Sequence, residues 1–149
     1  MKKIIILFFI IALIKTTYPQ VLLYSKLPAD PINDLYYIND SEIIFVNDGG
    51  CILKSIDAGN TWKLKAYFNN LRLSQINFIN SITGFVYPNS SNTLISTNDG
   101  GNSWQQQELT ITDAKAILPV SEAIMLKATY DGNILRLDNF YNKWDTTYY

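Results

Sequence analysis

Two octapeptides decide the fold, Ser55-Ile56-Asp57-Ala58-Gly59-Asn60-Thr61-Trp62 and Thr97-Asn98-Asp99-Gly100-Gly101-Asn102-Ser103-Trp104. Both read Ser/Thr-x-Asp-x-Gly-x-Thr/Ser-Trp, and each residue type has a local reason. A short aspartate accepts hydrogen bonds from amides of its own turn, and glycine permits positive φ. The hydroxyls close the network, and the tryptophan lays a large ring against the sheet. A third unit keeps Trp144 but has Leu137, Asn139, Tyr141 and Lys143 at the Ser, Asp, Gly and Thr positions, so its turn motif has decayed. Trp62, Trp104 and Trp144 fall 42 and 40 residues apart. A repeat of about 41 residues with four short strands is β-propeller spacing.

Working outward, the first unit reads as four strands, Leu35 to Ile38, Ile43 to Val46, Cys51 to Ser55 and Trp62 to Tyr67. The equivalent strands begin near Gln75, Gly84, Thr93 and Ser103, and then near Ala114, Ala123, Asn133 and Trp144. All are β-branched or aromatic runs punctuated by Asn, Asp, Gly and Ser, and none has a helical period. The fold class is therefore all-β, about three four-stranded antiparallel blades in an incomplete ring. The blades span about 34–67, 75–108 and 114–149 within a mature region of 21–149.

The octapeptide resembles the Asp box of BNR repeats. The fuller unit, with Asp48-Gly49-Gly50, Ile52-Leu53-Lys54-Ser55 and then the Asp box, is similar to the repeat of the photosystem II stability/assembly factor family. That resemblance covers roughly residues 34–149, and its motifs recur in many secreted bacterial proteins. It implies a propeller with a protein-binding or scaffolding habit. It carries over no chlorophyll-related role.

The amino terminus reads as a separate segment. Lys2 and Lys3 precede an apolar run over 4–14, then Lys15 and Pro19, which fits a secretory signal peptide over 1–20. The expected location is secreted, cell-surface or periplasmic, with membrane attachment only if the peptide is uncleaved. Without it, 9 basic residues face 13 acidic ones. Val21 to Leu27 reads as an extra outer strand, placed where it would complete the last blade of a closed ring.

Composition excludes several chemistries. Histidine is absent, which removes Ser-His, Cys-His and His-metal sites within the chain. Arg72 and Arg136 are the only arginines and the ten lysines form no run, so nucleic acid is not an expected partner. Two arginines cannot form a sialidase triad. Asp48 and Asp131 are merely the available pair for an endoglucanase-like site. Cys51 is the only cysteine and reads as a small apolar strand residue. No cofactor or metal is expected.

The leading expectation is an exported, non-enzymatic propeller module that binds or scaffolds protein, and the amino-terminal part of a larger ring. The alternatives are a glycan-directed module, either a glycoside hydrolase fragment or an oligomeric lectin, and a homodimer closing a six-bladed ring. Ser55, Asp57, Gly59, Thr61, Trp62, Thr97, Asp99, Gly101, Ser103, Trp104 and Trp144 are assigned structural roles. The opposite end of the blades, where the b–c and d–a loops meet, holds the candidate contact residues Asn47, Asp48, Arg72, Asn89, Ser90, Tyr130 and Asp131.

Overall fold

The computed structural model describes residues 30–89, 92–108 and 114–138. The apolar run over 4–14, the outer strand expected over 21–27, Ser90, and the closing strand of the third unit with Trp144 lie outside these residues. Eleven strands form three antiparallel sheets in chain order. Blade 1 comprises β1 (Ile32–Tyr37), β2 (Ile43–Asn47), β3 (Cys51–Ser55) and β4 (Lys63–Tyr67). Blade 2 comprises β5 (Leu73–Phe78), β6 (Gly84–Pro88), β7 (Thr93–Thr97) and β8 (Gln105–Glu108). The described part of blade 3 comprises β9 (Ala114–Pro119), β10 (Ile124–Thr129) and β11 (Ile134–Asp138). The all-β propeller-blade architecture read from the repeat is the one observed.

The first strands of blades 1 and 2 start earlier than expected, whereas β9 begins at Ala114 as expected. β1 begins at Ile32, and its register shifts between Ile32 and Asp34. β5 shifts likewise between Leu73 and Gln75. Such a bulge breaks the alternation that marks a strand in sequence and re-aims the side chain after it. Here it turns Asp34 toward the next blade, where its Oδ2 accepts the Ile76 amide at 2.9 Å. Gln75 Oε1 accepts the Ile117 amide at 3.3 Å in the same way.

Alternating strand residues fill the seams between blades. Ile44, Val46 and Ile52 of blade 1 pack against Leu73, Ile76, Phe78, Val86 and Ile95 of blade 2. Phe85, Tyr87 and Leu94, on the other face of blade 2, pack against Ile117, Met125 and Leu137 of blade 3. Phe45, Cys51 and Leu53 form a third cluster with Trp62, on the face of blade 1 turned away from blade 2. Cys51 is thus a buried packing residue, and burial pushes its thiol up.

A buried lysine fastens the first seam. Lys54 is 3% exposed, pairs with Glu42 at 2.9 Å within its own blade, and donates to Gly100 O of blade 2 at 2.8 Å. Nearby, Lys65 Nζ donates to Asn102 Oδ1 at 3.0 Å. Both acceptors belong to the Asp-box turn of blade 2, so that turn is a docking point for blade 1.

The Asp boxes close as their residue types dictate. Asp99 accepts the Ser103 amide and hydroxyl at 2.9 and 2.6 Å, the Asn102 amide at 2.9 Å and the Thr97 hydroxyl at 2.8 Å. Asp57 accepts the Thr61 amide and hydroxyl at 2.7 and 2.6 Å and the Ser55 hydroxyl at 2.8 Å. Gly101 has φ 81°, and a Cβ there would lie 2.4 Å from Ile44 Cδ1. Its place is fixed by backbone geometry and by the neighbouring blade together. Trp104 stands edge-on to Phe78 at 6.0 Å, and Trp62 meets Phe45 at 4.8 Å.

Burial pushes the Asp99 carboxyl up, but the hydrogen bonds from Ser103, Thr97 and Asn102 outweigh it and hold the group at about 2. Hydrogen bonds from Thr61 lower Asp57 in the same direction. A carboxyl depressed in the folded state stabilises fully above its unfolded value and loses that contribution as pH falls through the folded one. Thermal stability should therefore fall as pH drops from the ordinary aspartate value of 3.8 toward about 2. The Asp99→Asn variant should show a shallower decline, measured by melting across that range. For the seam, Lys54→Ala should cost about 3 kcal/mol in urea unfolding, because it strands Glu42 and the Gly100 carbonyl. Lys54→Met, which keeps the packing volume, should cost clearly less.

Candidate functional site

The chain turns sort themselves to two ends of the blades by their hydrogen bonds. At one end the c–d turns meet the a–b turns, with the Ala58 amide donating to Ser41 O and the Gly100 amide to Ile82 O, each at 2.9 Å. At the other end the b–c turns meet the d–a connections. The Phe68 amide donates to Gly50 O at 2.9 Å and the Asn89 amide to Arg72 O at 2.7 Å. The Asp-box aspartates belong to the first end, and their oxygens are occupied by their own turns. The described candidate contact residues, Asn47, Asp48, Arg72, Asn89, Tyr130 and Asp131, belong to the second end.

Four polar residues join blades 1 and 2 at that second end. Arg72 Nη2 bonds Asp48 Oδ2 at 2.5 Å. Asn33 Nδ2 donates to Asp48 Oδ1 at 2.6 Å and to Leu73 O at 2.7 Å. The Asn89 amide, on the carbonyl of Arg72, completes the group. The Arg72 guanidinium beside Asp48, with the Asn33 amide, holds the Asp48 carboxyl below the usual carboxylate range against a burial cost. Asp48 reciprocally raises Arg72. Asp48 is largely covered whereas the Arg72 side chain is 67% exposed. The outward charge of the group is the cation.

The seam between blades 2 and 3 presents tyrosines instead. Tyr87 is buried in the seam core, and burial, reinforced by Tyr130 nearby, pushes its hydroxyl up. Tyr130 stands in the β10–β11 turn and is 73% exposed. In the same turn Asp131 accepts the Thr129 hydroxyl and the Asn133 side-chain amide, the latter at 2.8 Å. Those bonds, the one from Thr129 first, lower the Asp131 carboxyl.

Asn47 departs from its expected place. It is fully buried, its Oδ1 accepting the Cys51 amide at 2.8 Å, so it shapes the b–c turn from inside and presents nothing to a partner. Its Nδ2 has no hydrogen-bond partner. Asn33 and Tyr87 belong to this end but were not among the expected residues. Asn33 sits at the β1 bulge, and Tyr87 reads in sequence as an ordinary alternating core residue. Asp48 and Asp131 stand in the b–c turns of blades 1 and 3, with blade 2 between them, and each is engaged within its own cluster. Neither position gives the opposed pair that a glycoside hydrolase needs.

No family model matches the chain, and no curated protein matches it. Solved structures share its fold. One is YCF48 bound to D1 peptide, 20% identical with a TM-score of 0.65 over 78% of this chain and 39% of that one. Another is YCF48 from Cyanidioschyzon merolae, 21% identical with a TM-score of 0.66 over 80% of this chain and 38% of that one. The chain thus spans less than half the length of these structures. At the level of fold, this likeness bears out the resemblance to the photosystem II stability/assembly factor-like propellers.

Proposed function

We propose that this chain is part of an exported, non-enzymatic β-propeller that binds a protein partner on its b–c and d–a loop end, with further blades continuing the ring. The observation that carries the reading is a braced loop face with two outward anchors. Arg72 is held from behind by Asp48, and Tyr130 projects over the next seam. Arginine and tyrosine on a pre-ordered surface are residue types that anchor protein interfaces: the tyrosine ring covers a large area with few torsions, and the Arg72 guanidinium is already held by Asp48. The YCF48 structure that carries D1 peptide supports a peptide-binding use of the shared fold. Export rests on Lys2, Lys3 and the apolar run over 4–14.

Further blades are supported by the third sheet. Cross-strand pairs Ile44↔Lys54, Phe85↔Ser96 and Leu126↔Arg136 occupy equivalent places in the three blades. The first two lie in closed seams. On the third such face Leu118 is 53% and Ile134 52% exposed, and no sheet of the described residues packs there. A blade face built like two buried ones calls for the same kind of neighbour.

Peptides selected from a displayed random library on the purified chain test the binding face. Arg72→Ala and Tyr130→Ala should each weaken the selected peptides by about tenfold, as expected of interface anchors. Undiminished binding to both variants would place the partner elsewhere, and turnover of sialoside or β-glucan substrates by the chain would refute the non-enzymatic reading.

A further inference from the structure

The seam between blades 1 and 2 shows what the outer face of blade 1 is built to meet. Blade 2 receives blade 1 through Leu73, Ile76 and Phe78 of β5, all of them buried. The register puts Ile32, Leu35 and Tyr37 at the same places in β1, and each is 55% exposed. Across that face Leu64 and Tyr67, paired with Leu53 and Cys51, are also more than half exposed. The strand side chains of this face carry no charge, because Lys54 and Lys65 both reach blade 2. It is an apolar sheet face of the kind that another blade covers.

The outer face of blade 3 is the counterpart of the face that blade 1 turns to blade 2. Leu126, Ala128 and Ile134 occupy the places of Ile44, Val46 and Ile52, and half-exposed Leu118 that of Tyr36. Two polar details match the outer faces of blades 3 and 1 to each other. Within the chain, the first strand of a blade donates an amide to a side chain of the blade before it, Ile76 to Asp34 and Ile117 to Gln75. Blade 3 has Ala116 at the acceptor position, and blade 1 needs no acceptor from outside, because the Leu35 amide already donates to Asp34 Oδ1 at 2.9 Å. The second detail is Arg136, which stands where blade 1 has Lys54 and is 48% exposed in its pair with Asp138. Lys54 reaches the carbonyl of Gly100, whose equivalent in the blade 1 turn is Ala58, with a positive φ of 55° against 71°.

We propose that the outer face of blade 3 packs on the outer face of blade 1 of a second copy of this chain, so that two copies joined head to tail close a ring of six blades. The proposal rests on the further blades proposed above and names a second copy as their source. Leu118, Leu126 and Ile134 cover Ile32, Leu35 and Tyr37 in the way that blade 1 covers Leu73, Ile76 and Phe78, and Arg136 turns to the Ala58 carbonyl. Each copy gives one face and receives on the other, so the pair is held by two seams at once. Both loop ends, with Arg72 and Tyr130, then open on the same side of the ring.

Light scattering of the purified chain at micromolar concentration tests this, with the mass of a dimer as the expected result. Leu35→Glu and Ile134→Glu each put a charge on one of the two faces, at side chains more than half exposed in the single chain, so circular dichroism should show the variants still folded. Each should weaken the dimer by about a hundredfold, and Arg136→Ala by about tenfold. A dimer that survives both glutamate variants would overturn the proposal. One broken by Leu35→Glu alone or by Ile134→Glu alone would mean like faces paired, which also overturns it. Masses that grow past the dimer with concentration would mean open head-to-tail chains and overturn the ring. A folded monomer that still binds selected peptides through Arg72 and Tyr130 would overturn the second copy and leave the loop-face reading standing.

Discussion

Each blade has two apolar faces, and water is excluded from both only when sheets stand face to face. This constraint organises the chain more than any local motif does. Strands of four to six residues bury too little on their own for a blade to persist alone, so stability comes in units of a seam. Ile44, Val46 and Ile52 are exposure-free because blade 2 lies over them. The hydrogen bonds that cross the seams from Asp34 and Gln75 then fix how far one blade is rotated against the next. At the equivalent strand position blade 3 has Ala116, which has no acceptor, so this particular device ends with the second seam.

Within that frame the two ends of the blades have separate duties. The Asp boxes saturate their own carboxylates, and the turn of blade 2 also receives Lys54 and Lys65 from blade 1. In blade 2 the bonds from Thr97, Asn102 and Ser103 keep the Asp99 carboxyl low, and they tie it to its own turn. The loop end is different in kind. Its polar groups brace one another from the inside, Asn33 and Asp48 behind Arg72, and leave the arginine pointing to solvent. One end of the blades is thus tied into its own turns and the neighbouring blade, and the other carries an exposed arginine on a braced loop.

The fold was legible because its signals are local and periodic. Two octapeptides, a repeat spacing and alternating strands fix sheets, turns and seam faces without any long-range information. The site was legible only in part. The placing of Arg72, Asp48 and Tyr130 at one end of the blades follows from counting which loops share an end. The burial of Asn47 was not, because a b–c turn residue can point in or out and only the turn hydrogen bond to Cys51 decides. Asn33 was hidden by the β1 bulge, which shifts the alternation just before the apolar run begins. Lys54 was aligned with the other blades from the start, yet a lysine in a strand reads as an exposed edge residue. Its burial depends on the turn of the neighbouring blade.

The contrast between the seams shows how such a repeat can change at its rim without losing its fold. Among the described residues, the Ser96 position has no counterpart of the Lys54 ammonium, its pair with Glu42 or its hydrogen bond to Gly100 O. The second seam nevertheless closes through Phe85, Tyr87 and Leu94 on Ile117, Met125 and Leu137, with Gln75 bonded to the Ile117 amide. Among the described residues, the apolar interior and the innermost strand thus join blades 2 and 3 without the buried lysine that fastens blades 1 and 2.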